Sequence, residues 1–130
     1  MQPDTTPAGT QRGTILFAHG SRDPLWRKPI EAVADHIRKI APDVLVNCAY
    51  LELSVPDLPT SAAELAARGV NAITVVPLFL GVGKHAREDL PVLVDALRTQ
   101  HPEVQFDVQV AMGEHPAVLD LMAEIALGAV

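Results

Sequence analysis

Thr14-Ile15-Leu16-Phe17-Ala18-His19-Gly20, with the helical stretch Pro24 to Ile40 and the apolar run Val44 to Leu51 that follow it, decides the fold. Thr14 to Ala18 has the length and β-branched, aromatic character of a buried strand, and His19-Gly20 ends it. From Pro24 to Ile40 the side chains of Ile30, Val33, Ala34, Ile37 and Ile40 recur at helical spacing. Asp23 stands where it can cap that helix, with Pro24 at the first position. Val44 to Leu51 then reads as a second strand. A strand, a helix and a second strand joined by short connections form a βαβ unit, and such a unit demands a parallel pair with a right-handed crossover.

The pattern repeats to the end of the chain. A second helix is expected from Val55-Pro56-Asp57 through Leu58, Ala62, Leu65 and Ala66, ending at Arg68-Gly69 by the usual glycine signal. Ala72 to Val76 is a third strand, rich in β-branched residues and closed by Pro77. After a loop holding Gly81 and Gly83, a third helix is expected from about Arg87 to Gln100, with Pro91 near its first turn. His101-Pro102 ends it. Val104 to Val110 reads as a fourth strand, and His115-Pro116 opens a last helix through Val118, Leu121, Met122 and Ile125. The order βαβαβαβα predicts a small doubly wound α/β domain: a four-stranded parallel sheet of flavodoxin-like topology with helices on both faces. Residues 1–12, polar and rich in Pro, Thr and Gly, read as a flexible tail, and 13–130 as the single domain. No sequence repeat is strong enough to assert.

Composition narrows the function. A hydrophobic share of 48% supports a real core, and an aromatic share of 4% means that Val, Leu, Ile and Ala must fill it. The formal net charge of −6 argues against nucleic acid or anionic lipid as a partner. Cys48 is the only cysteine, which excludes an intrachain disulfide and a Cys-based structural zinc site. The opening residues lack the apolar core of a signal peptide, and no apolar run approaches a membrane span. A cytoplasmic protein is expected.

In open α/β sheets ligands bind outside the carboxyl ends of the strands. His19 closes the first strand, Glu52 lies just past the second, His85 follows the third, and Glu114-His115 follows the fourth. His19, Glu52 and His85 recur at 33-residue intervals, one βα unit apart, so each occupies a comparable place on one sheet edge. Two imidazoles and a carboxylate suit a borderline divalent metal such as Co, Fe, Ni or Zn. Each residue also has a plainer reading. His19 can cap a strand end, and Glu52 with Ser54 can cap the next helix. His36 reads as surface, His101 as part of a helix-ending turn, His115 as structural, and Cys48 as core packing. The His19-Gly20 pair lacks the preceding arginine of phosphohistidine enzymes, since that position is Ala18. Ser21 has no G-x-S-x-G elbow, and the Gly81-Val82-Gly83 loop lacks a P-loop pattern.

Four stretches together resemble the class II chelatases of the sirohydrochlorin type. They are Ala18 to Pro24, Leu51 to Asp57, Pro77 to Pro91 and Gly113 to Pro116. The likeness covers nearly everything after residue 12 and suggests a short-form chelatase of the CbiX or SirB type. It implies insertion of Co2+, Fe2+ or Ni2+ into a sirohydrochlorin-type tetrapyrrole, with cobalt leading to cobalamin and iron to siroheme. It also implies a metal held by His19, Glu52 and His85, with the two histidines serving in catalysis. No cofactor is implied beyond the substrate metal. Longer relatives contain two such domains, so a single domain is expected to work as a homodimer.

The carboxylates of such a substrate need cationic partners, and Arg22, Lys84 and Arg87 flank the histidine motifs. Ser21 and the backbone of Gly81 and Gly83 are further candidates for substrate binding. Two other functions compete. One is a metal or tetrapyrrole carrier that uses the same histidines without accelerating metallation. The other is a metal-dependent hydrolase, for which no nucleophile or phosphate motif is present.

Overall fold

The computed structural model describes residues 9–130. Four strands, β1 (Arg12–Ala18), β2 (Leu45–Tyr50), β3 (Ala72–Pro77) and β4 (Gln105–Val108), alternate with helices α1 (Lys28–Ile40), α2 (Leu58–Ala67), α3 (Lys84–Gln100) and α4 (Pro116–Ala126). A 3-10 turn, Met112–Glu114, precedes α4. The strands form one parallel sheet in the order β2-β1-β3-β4. The expected single α/β domain is therefore present, with the strand order of a flavodoxin-like doubly wound sheet. In register, Phe17 stands between Ala49 of β2 and Pro77 of β3.

Side chains alternate between the two faces of the central strand. Ile15 and Phe17 pack with Leu58, Leu65, Val94 and Leu97 under α2 and α3. Leu16 and Ala18 pack with Ile30, Ala34 and Tyr50 under α1. The expected covering of both faces is complete only on the first. α4 buries none of its side chains and packs chiefly against the 3-10 turn before it, leaving Leu119, Leu121 and Ile125 exposed.

Several boundaries move, each for a local reason. The first eight residues of the expected tail lie outside the described part. The rest of that stretch is tied to the sheet: the Gln11 amide donates to Asn71 Oδ1 at 2.9 Å, the Asn71 amide donates back to the Gln11 carbonyl at 3.0 Å, and Arg12 opens β1. α1 starts at Lys28 instead of Pro24. Pro29 has no N–H and its ring would clash with the carbonyl four residues back, so it fits best in a first turn, which a start at Lys28 provides. Asp23 instead organises the turn before α1, accepting the Leu25 amide at 2.9 Å.

α2 begins at Leu58, capped by Asp57, whose Oδ1 accepts the Thr60 amide at 2.9 Å; Ser54 and Glu52 do not cap it. α3 begins at Lys84, so Pro91 is an interior residue that cannot donate to the Arg87 carbonyl. His101 ends α3 as expected, and His115 caps α4 by accepting the Ala117 amide on Nδ1 at 3.2 Å.

An internal repeat also emerges from the hydrogen bonds. Arg38 bonds Asp35 on its own helix and the Val46 carbonyl on β2, at 2.9 and 3.0 Å. Arg98 bonds Asp95 and the Phe106 carbonyl on β4 at 3.0 and 2.9 Å. Each arginine lies eight residues before the carbonyl it reaches, so the same latch joins helix to strand in both βαβ halves.

The Asp57 cap is testable. Bonds from Thr60, first through its hydroxyl and then its backbone amide, hold the Asp57 carboxyl below its ordinary range. A depressed folded-state pKa adds stability above the unfolded value, which is lost as pH falls through the folded one. We expect Asp57→Ala to cost about 1 kcal/mol at neutral pH. Urea unfolding series should show that difference shrinking as acid protonates the carboxyl.

Candidate active site

Chain exit from β1 places His19 at the carboxyl edge of the sheet, and exit from β2 places Glu52 beside it. His19 Nε2 lies 3.0 Å from Glu52 Oε1. Both side chains are more than half exposed, at 56% and 55%, so this is a pair presented to solvent. The imidazole sits edge-on to the ring of Phe79, with centroids 6.5 Å apart and planes at 73°. Phe79 in turn packs edge-on to Phe17, so one side of the histidine rests on the core.

Backbone approach brings the pair together. The Leu51 amide donates to the Ala18 carbonyl at 2.9 Å and the Glu52 amide to the His19 carbonyl at 3.0 Å, which carries the parallel ladder past the strand ends. Gly20 has φ +104, and a Cβ there would overlap the Glu52 carbonyl oxygen. Only glycine meets both the left-handed backbone and the close approach. Gly113 likewise has no room for a Cβ, because the Leu80 carbonyl lies against it.

His85 is placed differently from expectation. It is the second residue of α3, exposed in the first turn and not in the preceding loop. Among the described residues no three His, Cys, Asp or Glu side chains converge at metal-binding distance. The structure therefore unites His19 with Glu52 and leaves His85 outside that pair. Burial pushes the Cys48 thiol up, which disfavours a thiolate ligand and accords with its packing role.

The other candidates surround this edge. Arg22, Lys84 and Arg87 are exposed. Gly83 is the N-cap of α3, where free backbone N–H groups can meet an anion. Gly81 and Gly83 would each accept a Cβ into open space, so this chain's own packing does not demand glycine there. The Ser21 hydroxyl accepts the Asp23 amide at 3.1 Å, which gives it a local turn-forming part.

A groove of about 540 Å³ adjoins the site along α3 and β4. Phe79, Leu90, Val94 and Val108 line it, and Arg87 and Glu114 stand on it. The sequence assigns no part to Phe79 and only a capping part to Ser54, because their contacts run across separate loops. The Gly20 requirement had one visible signal, a glycine directly after a strand-ending histidine.

The CbiX family model matches residues 13–127. The chain belongs to the CbiX family. A sirohydrochlorin cobaltochelatase of Methanothermobacter thermautotrophicus is 40% identical over 79 residues, 61% of this chain and 54% of the relative. That of Methanococcoides burtonii is 27% identical over 123 residues, covering 88% and 94%. Among solved structures, a CbiX protein of Marinobacter aquaeolei VT8 superposes with a TM-score of 0.77 at 30% identity, covering 91% of this chain and 93% of that one. The sirohydrochlorin chelatase SirB of Bacillus subtilis subspecies spizizenii, in complex with cobalt, superposes with a TM-score of 0.68 at 25% identity, covering 88% of this chain and 51% of SirB. The matched stretch thus spans about half the length of some relatives, 54% in the first case and 51% in SirB.

The close approach at Gly20 sets this CbiX site apart from the glycine loop. Gly20→Ala should destabilise the chain by about 1–3 kcal/mol. Gly81→Ala should change stability by less than about 0.5 kcal/mol. Chemical denaturation of both variants checks the contrast.

Proposed function

We propose that this CbiX-family protein is a sirohydrochlorin chelatase, a lyase that inserts a divalent metal into the tetrapyrrole. The observation that carries the reading is the His19–Glu52 pair on the carboxyl edge of the sheet. An imidazole nitrogen and a carboxylate oxygen 3.0 Å apart have the spacing of two donors about 2.1 Å from one metal at a right angle. Open to solvent, the pair can take a metal in and release it, as a substrate metal requires. Co2+ is favoured by the names of the relatives, and Fe2+ and Ni2+ suit the same donors. The metal is substrate, and no resident cofactor is needed.

Metal entry must release two pyrrole N–H protons. A neutral imidazole titrating near neutrality accepts such a proton. His85 is suited to this, since it stands apart from the donor pair on the first turn of α3. It can alternatively complete the metal ligands once the site closes on its substrate. Glu52 adds negative charge that favours the dication. Arg22, Lys84 and Arg87, with the amide groups at the start of α3, bind the macrocycle's carboxylates, while the apolar groove under Phe79 receives part of the ring.

Two copies make the working unit in this reading. The chain matches about half of SirB, and α4 offers Leu119, Leu121 and Ile125 with nothing among the described residues to cover them. A second copy covers that face and encloses the substrate between two sheet edges. The protein acts in the cytoplasm, and among the described residues no helix is long and apolar enough to cross a membrane.

Anaerobic absorbance spectroscopy tests the activity. The native protein should accelerate conversion of sirohydrochlorin with Co2+ or Fe2+, and His19→Ala or His85→Ala should slow it by at least about 100-fold. Failure of the native protein to exceed the uncatalysed rate with Co2+, Fe2+ or Ni2+ would leave a metal or tetrapyrrole carrier. Sedimentation should show a dimer at micromolar concentration that Leu121→Asp with Ile125→Asp converts to monomer; a native monomer would sink the two-copy reading.

A further inference from the structure

The His19–Glu52 pair is too exposed to be held by side-chain packing alone, since polar contacts between solvent-exposed side chains are weak. Its backbone must hold it. The ladder that joins the two segments ends at Glu52, because Leu53 turns out of the extended conformation at φ +63 and the Ser54 amide donates within its own loop, to the Glu52 carbonyl at 2.7 Å. The loop's far side is pinned as well, by the Tyr50 amide on the Pro56 carbonyl at 2.9 Å. Past Gly20, the N–H and C=O of Ser21 face the same loop, and no backbone–backbone hydrogen bond from it to Ser21 is described.

A side chain meets both groups instead. Ser54 Oγ accepts the Ser21 amide at 3.2 Å and donates to the Ser21 carbonyl at 2.8 Å. A hydroxyl carries one donor and two acceptor lone pairs, so it can serve both groups at once. His19 is then fixed from both directions: by the ladder at Ala18 and its own carbonyl, and by the clamp at Ser21 one residue past Gly20.

We propose that Ser54 is a positioning residue for metal capture, its hydroxyl standing in for a missing ladder rung that keeps the His19 segment in register with Glu52. The inference rests on the chelatase reading for its kinetic consequence, but not for its effect on metal affinity. Ser54 touches neither the His19 ring nor the Glu52 carboxylate through any hydrogen bond described, so its influence passes through the backbone.

The test compares the full-length native chain with Ser54→Ala and Ser54→Thr. Calorimetric titration of metal-free protein with Co2+ reads the donor pair, and steady-state metallation of sirohydrochlorin gives kcat and KM. Ser54→Ala should lower Co2+ affinity and kcat by about tenfold each, in the range seen when outer hydrogen-bond partners of a metal site are removed. KM for sirohydrochlorin should stay within about twofold of native, and Ser54→Thr should restore affinity and kcat to a similar margin. If Ser54→Ala does not fold, Ser54→Cys, which keeps the size with a weak hydrogen-bonding group, takes its place under the same expectations. Unchanged Co2+ affinity and kcat in the alanine variant, equal losses in alanine and threonine, or a loss confined to KM would each overturn the proposal. A native chain that binds Co2+ but does not metallate sirohydrochlorin sinks the chelatase reading alone, and the affinity comparison still decides the part of Ser54. A native chain that does neither ends both.

Discussion

The ladder between β1 and β2 continues past the ends of the strands, and the site depends on that continuation. Parallel pairing normally ceases where chains diverge into their crossover helices. Here the Leu51 and Glu52 amides still find the Ala18 and His19 carbonyls, and Gly20 has no side chain to push the segments apart. A solvent-exposed imidazole and carboxylate thereby stay at bonding distance without burial. A buried pair would meet a large desolvation cost and would be closed to an incoming metal. Rigid backbone under exposed donors avoids both problems.

The same economy of contacts explains what the domain lacks. α2 and α3 complete one face of the sheet, while α1 covers only part of the other. α4, which a self-sufficient doubly wound domain would lay on its sheet, buries no side chain fully and keeps Leu119, Leu121 and Ile125 in solvent. The chain matches about half of SirB and carries an apolar helix face that no other described residue covers. Charge is unevenly distributed. The chain carries −6 overall, yet Arg22 is exposed after β1, and Lys84 and Arg87 are exposed in the first turn of α3.

Periodicity made most of the architecture legible. Helical spacing in α1, β-branched runs in β3, and the punctuation at Gly69, His101 and Pro116 each name their element without help from the rest of the chain. Element starts were less legible, because Pro24 and Pro29 offer competing first positions for one helix, and Asp57, Ser54 and Glu52 offer competing caps for another. Only the three-dimensional chain shows that Asp57 reaches the Thr60 amide. The repeated arginine latch escaped notice in sequence for a similar reason. Two arginines sixty residues apart look like ordinary surface charge until both reach strand carbonyls.

The sequence by itself determined a parallel α/β domain, the strand-end positions of His19 and Glu52, and the four motifs that mark a CbiX chain. These follow from local signals: hydrophobic period, turn residues and short motifs, all written in contiguous residues. Tertiary structure alone decided that His19 and Glu52 meet, that His85 stands apart on the first turn of α3, and that Ser54 clamps Ser21. Those outcomes depend on how far two crossover loops travel after leaving a shared ladder. That distance is set by left-handed turns at Gly20 and Leu53 and by the steric room at Gly20, which no spacing along the chain encodes.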